Sequence, residues 1–186
     1  MFEELKKYKV KFIIGNHDYY LIHGVPTNRS QVIKDSVKYT KNKILKENLL
    51  KIRNVKSYDD LFIDGLRIKM YHGSPWDTVE EGIYPDYYHL EKFEDIEADI
   101  IILGHTHRPM IKGVGKLLVI NPGSCGQPRD DDKRASFGMF DTNNKKFVIE
   151  RVEYDVDQVC KKAIKEGLDY KLIKILKPPR PKYHLS

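Results

Sequence analysis

Two histidines, His105 and His107, follow a short apolar run, Ile100 to Leu103, within the stretch from Ala98 to Pro109. So short and so apolar a run reads as a strand buried on both faces. Gly104 ends it and lets the backbone turn sharply. In extended backbone, residues two apart project to the same side, so both imidazoles are expected to face one point. Neutral imidazole suits Zn, Mn, Fe, Ni or Co. The plain alternative is a strand end whose histidines face water.

The pattern returns twice. Phe12-Ile13-Ile14 leads into Gly15-Asn16-His17-Asp18, and Leu66 to Tyr71 leads into His72-Gly73. An amide oxygen beside imidazoles suits a borderline divalent ion, and a histidine next to a carboxylate suits a general acid. One such strand end is weak evidence. Three are stronger, because a sheet gathers strand ends along one edge, where open α/β folds bind ligands.

The elements that must position these residues can be read in order. Met1 to Lys7 resembles the last turns of a helix, with lysines at its C-terminal end. Tyr8 to Ile14 is predicted as a strand. Tyr19 to Val25 is predicted as a helical or irregular turn. Asn28 to Lys51 is predicted as two helices that break near Thr40 to Asn42. Ser57 to Ile63 and Leu66 to Tyr71 form a hairpin, with Asp64-Gly65 as its turn. Ser74 to Tyr88 reads as a long loop over the strand ends, and Tyr88 to Ile96 as a short helix. Met110 to Lys112 and Leu117 to Ile120 make a hairpin around Gly113 to Gly115, which ends at Asn121-Pro122-Gly123-Ser124. Ala135 to Phe140 and Lys146 to Tyr154 make another. Val156 to Glu166 is a closing helix with Gly167 just past its end, and Leu168 to Leu176 adds a further turn of helix. Strand and helix alternate early and hairpins dominate late, so the expected class is α/β with two stacked sheets.

The chain has 186 residues, 40% of them hydrophobic, enough for a core and too many for a disordered chain. Residues 1–176 are expected to form a single domain and 177–186 a Pro/Lys-rich tail. The net charge of +6 permits a nucleic-acid partner without demanding one. Two cysteines, Cys125 and Cys160, with no Cys-x-x-Cys, indicate neither a disulfide framework nor a zinc ribbon, and a cytoplasmic setting is expected. No run approaches a membrane span or a signal peptide. His23 is expected on a helix surface or at the core edge, His89 in the loop-helix region within reach of the site or apart from it, His184 in the tail, and Cys125 in ordinary packing.

Gly15 to Asp18, His72-Gly73, Gly104 to His107 and Asn121 to Ser124 appear in the order and spacing of calcineurin-like metallophosphoesterases, which the chain resembles from about residue 8 to 168. His72 to Pro75, Gly104 to Pro109, Asn121 to Asp130 and Arg151 to Asp155 look most like its small prokaryotic phosphoesterases. The resemblance implies an αββα sandwich, with two mixed sheets flanked by helices. It implies hydrolysis of phosphomonoesters or phosphodiesters by a metal-activated hydroxide. Carried onto this sequence, Asn16, His72 and His105 would bind one metal and His107 another. His17 would protonate the leaving alcohol or orient the phosphoryl group, and Asp18 would hold its ring. Arg108 and Arg129 are candidates to hold phosphate.

The family also carries Asp-x-His on its first strand and Gly-Asp on its second. This sequence contains no Asp-x-His. Relative to the family, the domain is therefore expected to be N-terminally truncated by roughly 50 to 60 residues. At most one divalent ion (Mn, Zn, Fe, Ni or Mg) would then be tightly held by this chain alone. Activity would depend on the missing segment or be lost. Exposed strand edges would favour a homo-oligomer or a complementing N-terminal segment. The alternative is a non-catalytic module that binds a phosphate, a nucleotide or a protein.

Overall fold

The computed structural model describes residues 2–5, 7, 8 and 10–177. The tail from 178 to 186, with His184, lies outside the described residues. Four helices come first: α1 (Phe2–Leu5), α2 (Asn16–His23), α3 (Gln31–Lys43) and α4 (Lys46–Arg53). Five strands follow, β1 (Tyr58–Ile63), β2 (Leu66–Tyr71), β3 (Ile100–Leu103), β4 (Met110–Val114) and β5 (Leu117–Asn121). The hairpin β6 (Ala135–Asp141) and β7 (Lys146–Val152) precedes α5 (Val156–Lys165) and α6 (Tyr170–Leu176). No helix among the described residues is long and apolar enough to cross a membrane.

The five strands make one mixed sheet in the order β1-β2-β3-β5-β4, and β6 and β7 form a separate antiparallel pair. The expected two-sheet α/β architecture is therefore present, with only the larger sheet mixed. β2, β3 and β5 run parallel, with Tyr71 opposite Leu103 and Ile102 opposite Ile120. Their C-terminal ends leave the sheet along one edge, and they carry His72, Gly104-His105 and Asn121 to it.

Both faces of this sheet are covered, which explains the unbroken apolar run of β3. Ile101, Leu103 and Val119 pack with Ile83 and Phe93, which belong to the long loop and the 3-10 turn that follows it. Ile100 and Ile120 pack on the other side, under Phe140 and Phe147 of the β6–β7 hairpin. A third cluster, Tyr20, Leu21 and Val37, joins α2 to α3.

Four local expectations are corrected. The strand expected over Tyr8 to Ile14 does not form, since residues 10–15 join no ladder; Ile14 N–H donates to Lys56 O at 3.0 Å. The helix of residues 19–25 begins earlier, at Asn16, so Asn16 to Asp18 form its first turn. The α3–α4 break falls at Ile44-Leu45, where extended backbone lets Ile44 and Leu49 pack beneath α2. Between Tyr88 and Ile96 only a 3-10 turn forms, Leu90–Phe93, anchored by the single buried Phe93. The Asp64-Gly65 turn is as predicted, with φ of 50° and 79°.

Candidate active site

His72 sits where β2 ends. Its carbonyl accepts from Gly104 N–H at 3.1 Å, which joins it to the end of β3. Its ring Nε2 lies 3.1 Å from Asn16 Oδ1 and 3.2 Å from His105 Nδ1. Three separate segments thus deliver one donor each to a common point. Gly15 makes the approach feasible: a Cβ there would lie 2.7 Å from His72 Cε1. Asp18 Oδ2 accepts from Gly15 N–H at 2.9 Å and caps α2. Its bond is therefore to the backbone that presents Asn16 and His17, and it reaches His17 only through its charge.

His105 and His107 are both left-handed, with φ of 60° and 59°. The extended backbone expected for this pair is not what forms, and the two rings part company. His105 turns to His72, whereas His107 Nδ1 donates to Gln127 O at 2.8 Å and leaves its Nε2 free. Left-handed backbone is costly for a residue with a Cβ and persists where neighbours impose it. The imposing residue is Asn121, fully buried at the end of β5. Its Nδ2 donates to Gly104 O at 2.7 Å and to Thr106 Oγ1 at 3.1 Å, and its Oδ1 accepts from Gly123 N–H at 2.9 Å.

The loop after β5 closes the other side. Ser124 Oγ accepts from Gln127 N–H, and Arg129 N–H donates to His107 O at 3.1 Å. Arg151 of β7 pins the loop through Asp130 and the carbonyls of Asp132 and Arg134.

A cavity of about 210 Å³ opens beside the donors, bordered by Asn16, His17, His105, His107, Arg29 and Arg129. Arg108 is exposed and does not line it, because the left-handed turn at His107 sends it outward. Arg29 stands in its place; it pairs with Glu80, which also accepts from Tyr20 O–H at 2.5 Å. His89 pairs with Glu91, and His23 stacks on Tyr19. Cys125, expected in packing, is exposed.

Loss of water around the rings pushes His17, His105 and His107 below the usual imidazole value, and neighbouring Arg129 adds to this at all three. Burial, followed by the charges of His105, His107 and His17, pushes His72 down to about 4. Neutral rings are the form that ligates metal. Two donors about 2.1 Å from one ion, at roughly right angles, lie about 3.0 Å apart. The separations of 3.1 and 3.2 Å across Asn16, His72 and His105 therefore fit one divalent ion. All three donors are neutral. Among the described residues, no group of three or more His, Cys, Asp or Glu side chains is arranged to hold an ion.

Asn121, Gln127, Arg29 and Glu80 were not singled out from sequence. Asn121 lay in a recognised strand-end motif, whereas nothing in the spacing around Arg29 or Glu80 marked them.

A family model described as a calcineurin-like phosphoesterase superfamily domain matches residues 1–145. An uncharacterized protein of Methanocaldococcus jannaschii is 31% identical over 177 residues, covering 84% of this chain and 70% of its own length. Phosphodiesterase YfcE of Escherichia coli is 28% identical over 106 residues. That match covers 53% of this chain, which spans just over half of that relative, 57%. Among solved structures, a hypothetical protein from Pyrococcus horikoshii superposes with a TM-score of 0.83 at 26% identity, covering 94% of this chain and 75% of its own. A metallophosphoesterase from Sphaerobacter thermophilus gives a TM-score of 0.76 at 26% identity, with coverages of 94% and 79%.

Proposed function

The chain belongs to the calcineurin-like phosphoesterase superfamily, and on that premise we propose that it hydrolyses phosphate esters in the cavity beside His17 and His105. The observation that carries this is the meeting of Asn16, His72 and His105, one from each of three segments, at the mouth of a cavity bordered by two arginines.

Proteins of this superfamily generally bind divalent metals. Asn16, His72 and His105 would hold one ion per chain through one oxygen and two nitrogens, and Nε2 of His107 offers a further nitrogen for a metal. When bound, the ion supplies Lewis acidity and offsets charge on the phosphoryl oxygens. The neutral set suits Mn, Zn, Fe or Ni better than Mg, which prefers oxygen ligands.

The remaining work belongs to the chain's own side chains. Arg129 draws the phosphate into the cavity and orients it. Water attacks phosphorus, the bond to the ester oxygen breaks, the departing oxygen takes a proton from His17, and the proton lost by the attacking water passes to solvent, from which His17 is reprotonated. Asp18 keeps His17 in the first turn of α2 and favours its protonated form. Residues 1–176 act as one domain in this reading. The setting is a reducing cytoplasm, which suits two unpaired cysteines.

The test is hydrolysis of p-nitrophenyl phosphate and of bis-p-nitrophenyl phosphate with added Mn²⁺. Turnover should fall about 10²- to 10⁴-fold in His17→Ala. Turnover unchanged in that variant refutes the role of His17. Phosphate binding with no turnover under any metal favours a binding module instead.

A further inference from the structure

The cavity has two unlike walls. One carries the histidines and arginines. The other is mostly apolar, built from Val32, Ile33 and Ser36 of α3 and from Leu172 and Ile175 of α6. Leu172 and Ile175 are three apart and share a helix face. α6 is held to this position through α5. Tyr39 O–H donates to Glu166 Oε2 at 2.9 Å, and Lys43 Nζ donates to the same oxygen at 3.2 Å, so α3 grips the end of α5. α5 in turn packs on α6 through Cys160, Ala163 and Ile173.

Arg29 borders the same cavity. Its guanidinium pairs with Glu80 through one terminal nitrogen, but its Nε is buried without a hydrogen-bond partner. A buried N–H left unpaired costs about 1–3 kcal/mol. Where Arg29 borders the cavity, its guanidinium offers charge-assisted N–H donors to an anion. Arg129, on the loop after β5, lines the cavity as well.

We propose that this cavity is a specificity pocket for phosphate esters bearing a compact apolar group, with the phosphate taken by Arg29 and Arg129 and the apolar group seated on Val32, Ile33, Leu172 and Ile175. The proposal rests on the phosphoesterase reading above and names the substrate class of that site. The volume of about 210 Å³ lies below the roughly 300–1,000 Å³ of pockets for drug-sized ligands, so the apolar group is a single ring or a short branched chain.

Two non-hydrolysable probes test recognition apart from turnover: phenylphosphonate and methylphosphonate, titrated calorimetrically into the full chain with and without Mn²⁺. The wild type should bind phenylphosphonate about tenfold more tightly, from the apolar area covered. Leu172→Asn and Ile175→Asn should bring the ratio close to one while leaving methylphosphonate binding intact. Ile175 is 38% exposed, so its replacement leaves the fold in place. Arg29→Gln should weaken both probes. Equal affinities in the wild type, or a ratio that neither apolar variant moves, overturn the proposal. A clear phenyl preference without hydrolysis of phenyl phosphate upholds the pocket and counts against the catalytic reading, so the two fail separately.

Discussion

The side-chain amide of Asn121 donates to the carbonyl of Gly104 at 2.7 Å, and this bond fixes the turn that aims His105 at His72. Asn121 is fully buried and Gly104 half-buried, and neither is a ligand. Asn121→Ala removes three hydrogen bonds and leaves the Gly104 carbonyl with the Thr106 N–H alone. Denaturant unfolding should show a loss of about 1–3 kcal/mol. Mn²⁺ affinity should fall by about 10- to 100-fold, the usual cost of losing a group that orients ligands. An unchanged Mn²⁺ affinity would show that the turn holds its shape without Asn121.

Gly15 leaves room for the His72 ring. A methyl at that position would lie 2.7 Å from Cε1 and 2.9 Å from Nδ1, so the ring must move. Its φ of −99° is open to any residue, so the effect is steric. Gly15→Ala should weaken Mn²⁺ binding by about tenfold or more while the far-ultraviolet circular dichroism stays as in the wild type. Full Mn²⁺ affinity in this variant would place His72 outside the ligand set.

Acid should destabilise the metal-free protein through His72. In the folded protein its pKa is pushed down to about 4, whereas the unfolded ring titrates near 6.5. Between these values the unfolded state binds more protons. The contribution of this ring is therefore complete above about 6.5 and lost as the pH falls toward about 4. An NMR titration after chelation should find the His72 ring neutral at about pH 5.5. A ring already protonated there contradicts the burial described.

Arg151 holds the loop that carries Gln127 and Arg129. It pairs with Asp130 and donates to the carbonyls of Asp132 and Arg134 at 3.3 Å. Lysine keeps the charge but lacks the fork that reaches three acceptors at once. Arg151→Lys should speed amide exchange across residues 127–134 and raise KM for phosphate esters more than it lowers kcat. Exchange rates equal to the wild type would mean that the loop is held from elsewhere.

Much of the fold was legible because its signals are local. The Asp64-Gly65 turn, the apolar run of β3 and the hairpins after Met110 each announce themselves within a few residues. The grouping of His72 and His105 was legible too, since the parallel strands β2 and β3 deliver their ends to one edge, whereas Asn16 joins them from the first turn of α2 and from no strand end. What escaped was set by tertiary contacts. The left-handed backbone of His105 and His107 depends on Asn121, which joins the turn only through the β3–β5 pairing, and extended backbone would have made the two rings equivalent. Residues 10–15 have strand composition, but a strand exists only where a neighbour pairs with it. Arg29 reaches the cavity from the turn between α2 and α3, held by Glu80 far along the chain, a pairing that no spacing in the sequence encodes.

The central claim is that phosphate esters are hydrolysed at a site assembled by Asn16, His72 and His105. The most direct measurement is the turnover of bis-p-nitrophenyl phosphate by chelated protein, by protein reloaded with Mn²⁺, and by His105→Ala treated in the same way. The account predicts no turnover after chelation, recovery with Mn²⁺, and a loss of about 100-fold or more in the variant. Turnover that survives chelation, or that His105→Ala leaves untouched, would contradict it.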